Sequence, residues 1–310
     1  MTPKENLLAA IRFESPQYVP LTNEDLWYAF QLGGNFRAAN WTDAWGVQWE
    51  AGIEGTAPFP KGNPLKDLSR LDDYKLPVPD ALVFTEEQEV GLASAKRDGK
   101  LVCGLLYYLL FERAWSLMGM DNFMLALASE GDRVRRLLHM IAEHNRRVFA
   151  RYLDLGVDAI SFSEDLGTQR ALMISPTMFR ELFLPEYRFM FADVLAAEKM
   201  INFHSCGCVD AVAGDLAEIG VTILNPIQAR ANDLARIKSD TLARMALQGG
   251  IDTALLVTGK PADIRREVIR VMEVLKPGGG YLCGPDQSMP GIPQENMDAL
   301  WQTAREVGRY

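Results

Sequence analysis

From Lys100 onward the hydrophobic pattern switches back and forth between two periods. In 133–155 the apolar residues Val134, Leu137, Leu138, Ile141, Val148 and Tyr152 fall near one face at helical spacing, which predicts an amphipathic helix stopped by Gly156. Short unbroken apolar runs at 101–106, 159–163, 200–203, 221–224, 245–248 and 281–283 predict buried strands. Between them, Ser175 and Pro176 give an N-cap followed by proline at the first helical position, and Pro185 restarts that helix. Further helices are predicted over 209–219, 233–239, 261–275 and 293–307.

The first hundred residues read differently. Thr2, Pro3 and Glu5 form a capping box ahead of Leu7, Leu8 and Ile11, so a short helix opens the chain. From 16 to 79 the text is broken by prolines at 16, 20, 58, 60, 64, 77 and 79, with tryptophans at 27, 41, 45 and 49. This stretch predicts loops and short elements that cap the main fold without forming a separate domain.

Alternating strands and helices imply a parallel sheet covered by helices. No G-x-G-x-x-G follows an early strand and no G-x-x-x-x-G-K-[ST] occurs, so the usual fingerprints of open nucleotide-binding sheets are missing. Polar residues instead stand just beyond one strand after another: Glu164 and Asp165, His204 and Cys206, Asn225 and Gln228, Asp252, then Cys283. In a (β/α)8 barrel such positions converge on one mouth. The expectation is a single α/β TIM barrel over 1–310, with the cap and first barrel elements in 1–99 and the main βα repeats in 100–310. Seven strands are counted, including 18–21, and the eighth is assumed.

Composition narrows the function. With 48% hydrophobic and 24% charged residues the 310-residue chain is an ordinary globular protein. A net charge of −9, from 32 basic and 41 acidic residues, has the wrong sign for neutralising phosphate backbones, so no nucleic-acid partner is expected. No run approaches the length of a membrane span, and MTPKENLLAAIRF lacks a signal-type apolar stretch, so a cytoplasmic protein is expected. Four cysteines are too few for a disulfide scaffold, which leaves Cys103, Cys206, Cys208 and Cys283 as thiols.

His204 and Cys206 sit two apart at a strand end, where both side chains point to the same side. Barrel closure can bring Cys283 to the same mouth as a third ligand. One imidazole and two thiolates suit zinc, with a position left open for substrate. The competing reading makes these cysteines small buried apolar residues, which is the expected role of Cys103 inside its apolar run. Cys208 is an alternative to Cys206, and His139 and His144 read as surface or packing residues on the 133–155 helix.

At these residues the chain resembles the uroporphyrinogen decarboxylase superfamily, in its corrinoid-linked methyltransferase branch. The resemblance spans nearly the whole chain. It is carried by Asp43-Ala-Trp-Gly46, by Glu164-Asp-Leu-Gly-Thr-Gln169, by His204-Ser-Cys-Gly207 and by Asn225-Pro-Ile-Gln228. Gly249-Gly-Ile-Asp252, Gly278-Gly-Gly-Tyr281 and the Cys283 strand complete it. The resemblance implies a (β/α)8 barrel with zinc on His204, Cys206 and Cys283, and a partner protein that carries cobalamin. The decarboxylase itself fits poorly, because LTNEDLWYAFQL after Pro20 lacks the arginine that would hold porphyrin carboxylates. Where related methionine synthases place a fourth, glutamate ligand, this chain has Asn225 and Gln228; Glu164 or Asp165 could instead supply an oxygen or a proton, their alternative role being to cap the next loop.

Two directions of methyl transfer follow from the resemblance: O-demethylation of a methoxylated arene onto the cob(I)alamin of a corrinoid protein, or transfer from methylcobalamin to a thiol such as coenzyme M. The first is favoured, because Trp27, Tyr28, Trp41, Trp45 and Trp49 can wall an aromatic pocket. In that scheme Glu164 or Asp165 donates or relays a proton, and Trp27, Asn225, Gln228 and Asp252 contact the small-molecule substrate. A decarboxylase and a non-catalytic metal- or ligand-binding barrel are the remaining alternatives.

Overall fold

The computed structural model describes residues 1–33, 40–52, 58–287 and 289–310. Ten strands are numbered in chain order: β1 (Trp27–Phe30), β2 (Trp41–Thr42), β3 (Gln48–Glu50), β4 (Phe59–Gly62), β5 (Leu101–Leu106), β6 (Ala159–Ser163), β7 (Met200–His204), β8 (Ile223–Ile227), β9 (Ala246–Ile251) and β10 (Tyr281–Pro285). Seven of them form one curled parallel sheet in the order β1-β5-β6-β7-β8-β9-β10, with helices on its outer face. Leu21 adds a parallel bridge to Cys283, so the segment expected as the first strand lies along β10 as a single contact. The architecture is TIM-barrel-like.

The strand that sequence patterning missed is β1. Its four residues, Trp-Tyr-Ala-Phe, lie inside the stretch expected as loops and short elements of the cap, and they pair with Leu101 to Gly104 of β5. Most of the other expected elements form close to their expected bounds. The opening helix runs Pro3–Arg12 with both halves of its capping box made, the long helix is Gly131–Asp154, and another is Pro261–Leu275. The helix expected over 209–219 is shorter, Ala213–Glu218.

Two layers of apolar contacts fix which way each strand side chain points. At the N-terminal end of the barrel, Leu101, Ile223, Ala246 and Leu282 pack with Leu7 and Ile11 of the first helix, and Trp27 and Met200 close the same cluster. These are the first or second residues of their strands, so the opening helix plugs the bottom of the barrel. Because side chains alternate, Asn202, His204, Asn225 and Gly284 also face the lumen. The other phase faces the helices: Phe162 of β6 stacks on Phe149 and Phe191. Above the plug the lumen is polar, with Ser161 and Ser163 on β6, Asn202 on β7 and Asn225 on β8, where Asn225 Nδ2 donates to Asn202 Oδ1 at 3.1 Å.

β2, β3 and β4 make a separate antiparallel sheet. Asp43 organises it: Oδ1 accepts from the backbone N–H groups of Trp45 and Val47, and Oδ2 from Trp49 Nε1 at 3.0 Å and Arg113 Nη1 at 2.9 Å.

Candidate metal centre

The register between β6 and β7 places Ser163 beside His204. Two residues further along each chain, Asp165 and Cys206 therefore emerge side by side over the lumen. Cys206 Sγ lies 3.6 Å from His204 Nε2, and His204 Nε2 lies 3.7 Å from Asp165 Oδ1. Asp165 Oδ1 also accepts the Cys206 N–H at 2.7 Å, and the three ligand atoms fall within 4.8 Å of one another. Ser205, the residue between the two ligands, points the other way, is fully buried, and accepts the Leu166 N–H at 3.0 Å.

The loop after Cys206 is held from three sides. Gly207 has φ +83°, and a Cβ there would lie 2.3 Å from the Gly167 carbonyl oxygen, so only glycine fits. Gln228 Oε1 accepts from Gly207 N–H at 2.8 Å and from Gln169 Nε2 at 3.0 Å. Asn232 Nδ2 donates to the Gly207 carbonyl at 2.9 Å. The ligand pair is thus fixed by its backbone, before any ion is considered.

Burial, and then the neighbouring Asp165 charge, push the Cys206 thiol up to about 12. A cation at this point reverses that balance, since coordination stabilises a thiolate. Nitrogen, sulfur and carboxylate oxygen donors within one short span match zinc.

Four of the expected residues lie or point away from the cluster. Cys283 is not in the cluster: on β10 it shares the helix-facing phase with Tyr281, next to whose hydroxyl its thiol lies, and it is 0% exposed. The lumen positions of β10 are Leu282 and Gly284, so the expected third ligand is out of phase by one residue. Glu164 is likewise turned outward. It is 0% exposed and accepts from the N–H groups of Leu110, Phe111 and Glu112 and from the Tyr187 hydroxyl, which anchors the start of the helix Phe111–Met118. Burial raises its carboxyl to about 7 against the pull of those hydrogen bonds. Trp27 lies at the plugged end of the barrel, remote from the mouth, and Tyr28 packs outward against the helix Glu86–Arg97, its hydroxyl donating to the Gln88 carbonyl.

The other expected substrate contacts divide. Asn225 faces the lumen and pairs in register with His204. Gln228 is engaged in the loop contacts just described, and Asp252 caps the helix Thr253–Thr258 through the Ala254 N–H while pairing with Arg230. Cys208 donates toward Asp210, away from the cluster, and His139 pairs with Glu186 on the surface.

Two residues were missed. Glu112 is buried beside Asp165, in hydrogen-bond contact with the Ser163 hydroxyl and the Asp165 backbone; burial, then the Asp165 and Glu164 charges, raise its carboxyl. Its Oε2 has no hydrogen-bond partner among the described residues. Gln287, just past β10, donates from Nε2 to Cys206 Sγ at 3.7 Å. Gln287 obeys the same rule of polar residues beyond strand ends that picked out the others; Glu112 lies too far past β5 for that rule.

One hollow touches the centre through His204, and a second borders the first. One of 250 Å³ is lined by Leu105, Ser161, Ser163 and His204, and another of 270 Å³ by Trp41, Trp45 and Trp49. Leu106 and Tyr107 line both. Trp41, Trp45 and Trp49, expected as part of an aromatic wall, line the second hollow, which none of the three cluster residues lines.

No curated protein matches the chain significantly. Among solved structures, a methyltransferase from Methanosarcina mazei is similar over 99% of both chains, at 17% identity and a TM-score of 0.72, and so shares the fold. A B12-independent methionine synthase from Shewanella sp. W3-18-1, in complex with selenomethionine, is similar over 81% of this chain and 69% of that one, at 10% identity and a TM-score of 0.47. A sequence model of the uroporphyrinogen decarboxylase (URO-D) family matches residues 111–307, well over half of the chain and every member of the ligand cluster. The protein therefore belongs to the uroporphyrinogen decarboxylase family.

Proposed function

We propose that the chain is a zinc-containing methyltransferase that moves a methyl group from a methoxylated aromatic to the cob(I)alamin of a separate corrinoid protein. The observation that carries this reading is the convergence of Asp165, His204 and Cys206 at the mouth of a barrel with a polar lumen. Family membership and a fold shared with a methyltransferase support the reaction class. Zinc held by these three residues would act as a Lewis acid on the ether oxygen of the donor.

The chain's own groups have defined tasks in this scheme. Gln287 orients the Cys206 sulfur, and Gln228 and Asn232 keep its loop in place. Glu112, the carboxyl next to Asp165, takes the proton-donating role first given to Glu164 or Asp165, because a departing phenolate needs a proton, Glu164 faces the wrong side of the sheet and Asp165 is taken up in the metal cluster. Asn225 orients the donor from the lumen wall, and Trp41, Trp45 and Trp49 offer flat apolar surface for its ring.

The test mixes the metal-loaded protein with cob(I)alamin and a panel of methoxyarenes, and follows the visible absorbance change to methylcobalamin. Turnover with at least one methoxyarene, lost on chelation and restored by zinc, is the expected result. Demethylation of methylcobalamin by thiols alone would reverse the direction. Silence across both panels, or carbon dioxide release from uroporphyrinogen, would sink the reading.

A further inference from the structure

Two side chains that line the cleft under the β2-β3-β4 sheet each carry a buried polar atom with no partner among the described residues. His144 is 5% exposed and its ring meets the Trp45 ring edge-on at 4.4 Å. Its Nδ1 lies 3.1 Å from Asn145 Oδ1, and Asn145 Nδ2 donates to the Leu109 carbonyl at 2.6 Å, which fixes the amide with its oxygen toward the imidazole. Nδ1 therefore carries the hydrogen, and Nε2 presents a bare lone pair. Burial, assisted by the Arg113 and Arg147 charges, holds the ring neutral, with its pKa lowered to about 4. Nε2 has no partner among the described residues.

Arg113 supplies the complementary atom. It is 6% exposed, its guanidinium stands 4.8 Å from the centre of the same Trp45 ring, and Nη1 is taken by Asp43. Its Nε–H is unpartnered among the described residues. Both side chains line the 270 Å³ cleft together with Trp41, Trp45 and Trp49. A buried acceptor and a buried donor left unmade are each costly, so the site is built for something that supplies both.

We propose that this cleft binds a planar ring carrying a hydroxyl group, with the hydroxyl donating to His144 Nε2 and accepting from Arg113 Nε. A methoxy group or a carboxylate offers only acceptors and would set a lone pair against Nε2. Asp43 already neutralises Arg113, so an anionic group gains little there. The ring lies against the tryptophans, whose faces suit flat apolar surface. That the ring is the methyl donor rests on the function proposed above; its binding does not.

Isothermal titration of the full chain with phenol, anisole and benzoate, with tryptophan fluorescence as a second readout, tests the site without metal or corrinoid. Phenol is expected to bind about tenfold more tightly than anisole, the size of one uncompensated buried acceptor. His144→Phe keeps a ring against Trp45 and is expected to bring phenol down to the level of anisole while leaving anisole unchanged. Arg113→Lys, which keeps the charge beside Asp43 but moves the donor, is expected to weaken phenol in the same way. If either variant does not fold, the wild-type order of the three ligands decides alone. Equal binding of phenol and anisole, preference for benzoate, or no binding at all would overturn the proposal and leave the two atoms to ordered water. Methyl transfer failing while phenol binds would refute the function and keep this site.

Discussion

Replacing Cys283 by alanine separates a metal ligand from a core residue. The thiol is fully buried on the helix-facing side of β10 and borders the Tyr281 hydroxyl, which keeps its own hydrogen bond to the Gly249 carbonyl at 2.8 Å. Alanine therefore orphans no polar atom. It removes one methylene-sized apolar group, worth about 0.8 kcal/mol of transfer, and leaves a void of about 25 Å³ that adds roughly 0.6 kcal/mol. The expected loss is about 1–2 kcal/mol of stability in urea unfolding, with the zinc content unchanged by elemental analysis. Cys206→Ala is expected to do the opposite, purifying without stoichiometric zinc while its core stays intact. A Cys283→Ala protein that folds but loses its metal, beside a Cys206→Ala protein that keeps it, would refute the strand-phase argument and restore the ligand set first read from the sequence.

Glu164→Gln keeps the shape but turns a donor toward the N–H groups of Leu110, Phe111 and Glu112; unfolding is expected to show a loss of about 1–3 kcal/mol with metal retained, and metal loss from a stably folded variant would contradict the anchoring role. Gly207→Ala puts a methyl 2.3 Å from the Gly167 carbonyl at a backbone with φ +83°; it is expected to cost at least about 2 kcal/mol and to release zinc by displacing Cys206, and wild-type metal affinity would argue against the rigid loop. Lys238 donates to the Gly279 carbonyl, and burial lowers it to about 8 from 10.5. Between those two values the unfolded chain binds more protons, so this group makes stability rise with pH from about 8 to 10.5. The difference between wild type and Lys238→Met in urea unfolding across that range should show the rise, and a flat difference would rule it out.

The three barrel-mouth residues were legible before the fold was known. His204 and Cys206 stand two apart at the end of an apolar run, and strand geometry alone puts them on one side. Asp165 was seen as well, two residues beyond the end of β6, but as one of a pair with Glu164. Choosing between the two needed the phase of β6, and that phase is set by which of its side chains meet Phe149 and Phe191. The same ambiguity misplaced Cys283. A run such as Tyr281-Leu-Cys-Gly284 is apolar on both faces, so its alternation gives no hint of inside and outside. Leu282 is turned inward by the opening helix, and Cys283 follows outward.

What the linear text determined about this protein is local: the capped opening helix, the strand and helix alternation, the ligand pair at a strand end, and the motifs that carry the family. Each depends on residues a few positions apart, whose periodicity and capping chemistry act within one element. What only the tertiary structure decided is non-local. Glu112 reaches the centre from the helix Phe111–Met118 and Gln287 from just past β10, Trp27 falls at the plugged end, and His144 and Arg113 both pack against the Trp45 ring. Those outcomes depend on strand phase and barrel closure, and both are settled by which apolar faces find each other across the whole chain, a choice that no single segment encodes.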